Sequence, residues 1–164
     1  MKTTLMTLTL VAASSMSSIS AQNPPRAAAE KPHAIIAVPS SITWGPAPAV
    51  LPPGARLAVV EGDPAKAGAF TMRLSLPGGY RIPPHFHPVD EHVTVITGTF
   101  FVGMGETFDA SKATELPTGT FAALAPGVRH FAFTKAETVI QLHGVGPWGL
   151  TYVNPADDPR HKAK

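Results

Sequence analysis

The sequence predicts an all-β fold, a closed or double-sheet antiparallel barrel, on three observations. From residue 57 onward, short runs rich in Val, Phe, Thr and Leu alternate with turn residues, and runs punctuated in this way read as strands. The separators are explicit: Gly62-Asp63-Pro64, Pro77-Gly78-Gly79, Pro88-Val89-Asp90, Pro117-Thr118-Gly119 and Pro126-Gly127, all built from residues that preset turn dihedrals. Nine such runs fit into about 100 residues, which suits architectures that leave few exposed sheet edges.

Taken in order, residues 1–21 open with Lys2, continue through an uncharged stretch of Leu, Thr and Ala, and end in small residues. That pattern predicts a secretory signal cleaved near Ser20 or Ala21, and a secreted or periplasmic destination. The stretch is too short and too rich in Ser and Thr for a membrane span, which needs about 20 mostly apolar residues. Residues 22–56 are dense in Pro and Ala and read as an extended arm; any strand there belongs at a sheet edge, because proline cannot donate to a ladder. The barrel is expected over 57–155, with strands at 57–61, 70–76, 81–87, 91–97, 99–104, 120–124, 130–134, 137–144 and 150–153. Residues 109–116 are the one place for a short helix, and 156–164 form a short basic tail.

Composition narrows the partners. With 44% apolar and 15% charged residues, the chain can bury a single core. Of 13 Lys and Arg, the signal removes only Lys2, leaving 12 against 11 Asp and Glu, so the remaining chain is nearly neutral. No basic stripe appears, which argues against nucleic acid. The absence of cysteine excludes disulfides, thiolate nucleophiles and Cys-type zinc sites.

The chemistry concentrates in four residues. His85 and His87 are two apart in a strand, so both imidazoles leave one face about 7 Å apart. The Pro88-Val89-Asp90 turn then sends the chain back, and Glu91 opens a return strand from which it can face the two histidines across the pair. Far along the chain, Ala125-Pro126-Gly127-Val128 has Pro and Gly in the central positions of a type II turn, and His130 starts the strand beyond it. Three imidazoles and a carboxylate would hold one divalent transition metal per chain and leave two adjacent positions open for substrate or oxygen.

These residues resemble a known family. Gly79, His85, His87, Glu91 and Gly98 match the spacing of the first cupin motif without departure. The second motif is matched by Gly119, Pro126, Gly127 and His130; it departs in that Pro126 and Gly127 are adjacent and that Thr134 stands where Asn is common. The resemblance covers about residues 57–153. It implies a double-stranded β-helix, or jelly-roll barrel, with the metal on these four side chains, but the family spans many reactions.

Secondary candidates surround the four. Tyr80 and His143 are candidate acids or bases. Arg81 shares the parity of His85 and His87, while Gln141 and His143 share one face of a late strand, so all three are candidate substrate contacts. His92 has the opposite parity from Glu91 and reads as a surface or interface histidine. Phe131 and Phe133 alternate with His130, so they should face outward and need cover from the arm or a second subunit; this predicts a homodimer. The expected function is metal-dependent work on a small molecule, with dioxygenation of a chelating catechol, enol or diketone first. Non-oxidative isomerase or lyase chemistry and a non-enzymatic metal or small-ligand binding module are the alternatives. Fe(II) or Mn(II) leads for the metal, with Zn, Ni or Cu also fitting the donor set.

Overall fold

Alternation of buried and half-exposed side chains marks several of the strands. The computed structural model describes residues 34–161; the expected signal, the first part of the arm and the last three tail residues lie outside the described residues. Its strands are β1 (Gly45–Pro46), β2 (Arg56–Glu61), β3 (Gly68–Leu76), β4 (Arg81–Phe86), β5 (Glu91–Thr97) and β6 (Thr99–Met104). They continue with β7 (Thr114–Pro117), β8 (Phe121–Leu124), β9 (His130–Thr134), β10 (Thr138–Gly146) and β11 (Thr151–Tyr152). Along β3, Phe70, Met72, Leu74 and Leu76 are buried while Thr71, Arg73 and Ser75 are not, as a strand with one core face requires.

Two antiparallel sheets result, one of order β1-β2-β3-β10-β5-β8 and one of order β11-β4-β9-β6-β7. Strands far apart in sequence are neighbours: β10 runs against β3 from Thr138↔Leu76 to Gly146↔Gly68. This is the expected jelly-roll barrel. Its main core includes Phe70, Met72, Leu74, Val95, Phe100 and Leu142.

Three local expectations need correction. Residues 109–116 hold no α-helix: a single 3-10 turn, Ala110–Lys112, is capped by Asp109 accepting from the Ser111 N–H, and β7 follows as an edge strand on β6. Secondly, β4 and β5 do not form a hairpin; β4 pairs with β9 and β11, whereas β5 pairs with β10 and β8. The Pro88-Val89-Asp90 turn therefore crosses between sheets. Thirdly, Phe131 and Phe133 do face away from the core, but Phe101, Phe108 and Ala113 of the same chain pack on them. The cover comes from the segment between β6 and β7, so these aromatics no longer call for an arm or a second subunit.

The arm is anchored in two ways. β1 pairs with β2 at the edge of its sheet. Beyond it, the Tyr80 hydroxyl donates to the Pro52 carbonyl at 2.5 Å and the Tyr152 hydroxyl to the Val50 carbonyl at 2.7 Å. Between these two bonds Leu51 is driven into the core.

The outer aromatic cluster depends on one small residue. A Cβ on Gly103 would lie 2.0 Å from the Phe131 ring, and that ring is fully buried. Gly103→Ala is therefore expected to destabilise the fold by about 1–3 kcal/mol, the usual cost of overpacking. Denaturant unfolding checks this; an unchanged midpoint would contradict it.

Candidate metal centre

Backbone geometry aims the three imidazoles. His85 pairs directly with His130 across β4 and β9, and His87 lies just past the end of β4. Ala125-Pro126-Gly127-Val128 closes the expected turn: the Val128 N–H reaches the Ala125 carbonyl at 3.2 Å, and Gly127 has φ 78°, the left-handed value a type II turn needs. The Gly127 N–H also donates to the His87 carbonyl at 2.9 Å, which ties the two histidine segments together.

Each ring is then locked by its Nδ1 atom. His85 Nδ1 lies 2.7 Å from the Pro83 carbonyl, His87 Nδ1 2.6 Å from the Gly149 carbonyl, and His130 Nδ1 3.0 Å from the Val128 carbonyl. A carbonyl only accepts, so each Nδ1 must carry a proton, and a neutral ring then presents a lone pair at Nε2. One nitrogen from each ring lies within 4.8 Å of the others. Glu91, at the start of β5, approaches from the opposite sheet: Oε1 is 3.3 Å from His87 Nε2 and Oε2 is 3.4 Å from His130 Nε2. All four side chains are buried.

Lone pairs facing a carboxylate repel unless a cation stands between them. His87 Nε2 illustrates the need, since it is buried and its contact with Glu91 is not aligned as a hydrogen bond. Among the described residues, His85, His87 and His130 form the one cluster able to grip an ion, and the donor set suits a first-row divalent metal. The residues present therefore fit the group that the sequence implied.

Burial, reinforced by the neighbouring His130 and His87, lowers the pKa of His85 from 6.5 to about 3. Burial alone would raise Glu91, but positive charge held between it and His130 and His87 keeps it below the usual carboxylate range. A proton and a metal ion are alternative occupants of one cationic position.

The remaining candidates fall elsewhere. Arg81 is exposed and its guanidinium lies over the Phe108 ring at 5.0 Å. The cause is a bulge: Ile82 pairs with Ala132 and His85 with His130, so three residue steps on β4 match two on β9. The extra residue within Pro83-Pro84 reverses the parity. Ile140 and Leu142 of β10 face the core, which turns Gln141 and His143 outward. There Gln141 accepts from Arg73 Nε at 3.0 Å, and His143 lies beside His92, ring centroids 4.9 Å apart. Tyr80 belongs to the core cluster, and burial pushes its phenol up. None of Tyr80, Arg81, Gln141 or His143 lines the lumen beside the histidines. Thr134, the departure from the second motif, donates to the Pro77 carbonyl at 2.6 Å and accepts from the Tyr80 N–H at 3.2 Å.

Sequence reasoning missed the lumen residue Leu51 and singled out no role for Trp148 at the histidines. The Trp148 ring stacks on His87, ring centroids 4.9 Å apart. The available signal was Gly146-Pro147-Trp148-Gly149, an aromatic set in a tight loop. The free volume of the lumen is about 20 Å³, room for about one water molecule or an ion. Apart from the three histidines and Glu91, its lining side chains are aliphatic or aromatic.

Two outcomes are expected. His87→Ala or His130→Ala should lower bound metal to near background and abolish the rise in thermal midpoint that added metal gives the parent protein; undiminished metal in both variants would contradict the site. In chelator-treated protein, His85 is neutral when folded and binds a proton when unfolded between about pH 3 and 6.5. The unfolded state thus binds more protons in that window, so stability should fall as pH drops from 6.5 toward 3. Glu91, depressed below its usual 4.5, adds a loss in the same direction at lower pH. Thermal midpoints from pH 7.5 to 4 check this, and a flat profile would contradict it.

A scan of protein-family models finds no match to this chain, and neither does a search of curated proteins. Solved structures do match. A candidate acetylacetone dioxygenase from Methylibium petroleiphilum PM1 aligns with TM-score 0.59 at 18% identity, covering 79% of this chain and 88% of that one. The polyketide cyclase RemF from Streptomyces resistomycificus aligns with TM-score 0.65 at 13% identity, covering 77% and 90%. An RmlC-like cupin from Shewanella frigidimarina aligns with TM-score 0.51 at 12% identity, covering 65% and 86%. Two antiparallel sheets enclosing the histidine cluster, and these alignments, give the chain a cupin fold.

Proposed function

We propose that His85, His87, His130 and Glu91 hold one divalent transition metal per chain, and that the protein is a dioxygenase of small, enolisable or catechol-like molecules. The observation that carries this reading is the make-up of the lumen: the four ligands stand in a wall of residues such as Leu74, Val93, Phe100 and Leu142, with no Arg or Lys. A dication bound by neutral imidazoles and one carboxylate keeps a single positive charge. In an apolar cavity the best complement is a monoanion, such as an enolate or a singly ionised catechol, because it leaves no uncompensated buried charge.

An ion at this position supplies Lewis acidity and, where it is iron, electron exchange with dioxygen. The protein's own part is to orient and exclude. The carbonyls of Pro83, Gly149 and Val128 hold the imidazoles in register, while Leu51 closes the lumen under the arm. Isomerase or lyase chemistry needs a side chain to carry a proton. Tyr80 and His143 stand outside the lumen, which leaves Glu91 alone for that duty and favours oxygenation over the non-oxidative alternative. The structural neighbours bear names of both kinds, an acetylacetone dioxygenase candidate and a polyketide cyclase. They support small oxygen-bearing ligands more than either reaction.

Fe(II) leads this proposal, with Mn(II) second and Zn, Ni or Cu as further fits. Export, expected from residues 1–21, would load the site outside the cytoplasm, where copper and zinc bind such donors more tightly. A homodimer would now rest on the outer face of the six-stranded sheet, where Phe121 and Val145 are exposed. No helix of the described residues is long and apolar enough to cross a membrane.

The test is oxygen uptake by protein reconstituted anaerobically with Fe(II), Mn(II), Zn(II), Ni(II) or Cu(II), then given acetylacetone or catechol in air. Consumption of one O₂ per substrate with iron, and none with zinc, is expected. Substrate turnover without oxygen consumption would support the non-oxidative reading, and no turnover with any metal would leave a binding module.

A further inference from the structure

Trp148 carries a hydrogen-bond donor that nothing in the wall accepts. Its indole stacks on His87 with ring centroids 4.9 Å apart and planes inclined by 24°. It lines the same cavity as the three histidines and Glu91. Yet its Nε1 atom is buried and has no hydrogen-bond partner. Leaving a buried N–H unmade costs its full desolvation, and a hydrocarbon ring of similar shape would avoid that cost.

The loop that presents the ring is fixed on both sides. The Trp148 backbone N–H donates to the Pro64 carbonyl at 2.7 Å, and the next residue, Gly149, offers the carbonyl that locks His87 Nδ1 at 2.6 Å. The donors of the histidines are already taken by the Pro83, Gly149 and Val128 carbonyls. Among the lining side chains the indole N–H is therefore the one uncommitted donor.

Resting on the metal-dependent reading above, the geometry points to a ligand-oxygen subsite at Trp148: Nε1–H donates a hydrogen bond to a carbonyl, enol or phenol oxygen of the molecule bound beside His87. Such a donor pairs with an accepting oxygen and rejects an ammonium or any group with donors alone. The bond strengthens as that oxygen gains negative charge, so it favours the ionised form of an enol or catechol. An aromatic face beside the ligand further suits a flat molecule.

The test uses ¹⁵N-labelled, Zn(II)-loaded full-length protein with acetylacetone and catechol as probes; zinc keeps the measurement independent of oxygen chemistry. The chain has two tryptophans, so Trp44→Phe leaves a single indole cross-peak. That cross-peak should move downfield as either probe saturates. Trp148→Phe, which keeps a ring over His87, should weaken probe binding by about tenfold, the loss of one hydrogen bond, with zinc content unchanged. A probe that binds without moving the cross-peak overturns the subsite and leaves the proposed substrate class standing. If neither probe binds, both are overturned. Should Trp148→Phe lose its zinc, the cross-peak of the intact indole decides alone.

Discussion

Three imidazoles and a carboxylate, all buried and all turned toward one point, form an arrangement that only a cation can reconcile. The proton positions force it: each Nδ1 faces a backbone carbonyl, so the Nε2 lone pairs meet one another and Glu91. Burying an ionised carboxylate costs several kcal/mol unless it is paired. The rest of the structure can be understood as the means of holding that convergence in place.

Those means are backbone devices. The bulge at Pro83-Pro84 turns His85 inward, and the Pro126-Gly127 turn places His130 while bonding to the His87 carbonyl. The loop after β10 brings Gly149 to His87 and Trp148 onto its ring. Two tyrosine hydroxyls grip the arm so that Leu51 enters the core. Because carbonyls and not side chains orient the histidines, the lumen wall needs no further polar residues. It can be apolar almost throughout, which is the basis of the ligand chemistry proposed for it.

The barrel was legible in the sequence because turn residues and strand periodicity are local signals, and the convergence of His85, His87, Glu91 and His130 was what the resemblance to the cupin motifs implied. What escaped depends on long-range register. Parity placed Arg81 with His85, but parity holds only along an unbroken strand, and the bulge lies between them. The two faces of β10 were indistinguishable until its pairing with β3 and β5 set Ile140 and Leu142 inward. A β4–β5 hairpin was the economical reading of a short turn, yet each strand found its partners tens of residues away. Phe131 and Phe133 correctly read as outward, but their cover came from Phe108, whose loop carried no packing signal. Leu51 sat in a Pro-rich arm where nothing local marked it as a core residue.

X-ray absorption on Zn(II)-loaded protein tests the central claim most directly, since it sees the donors themselves. The account predicts nitrogen and oxygen neighbours at about 2.0–2.2 Å, with the outer-shell scattering of three imidazoles. A shell of oxygen alone, or one with the imidazole signal missing, would contradict it.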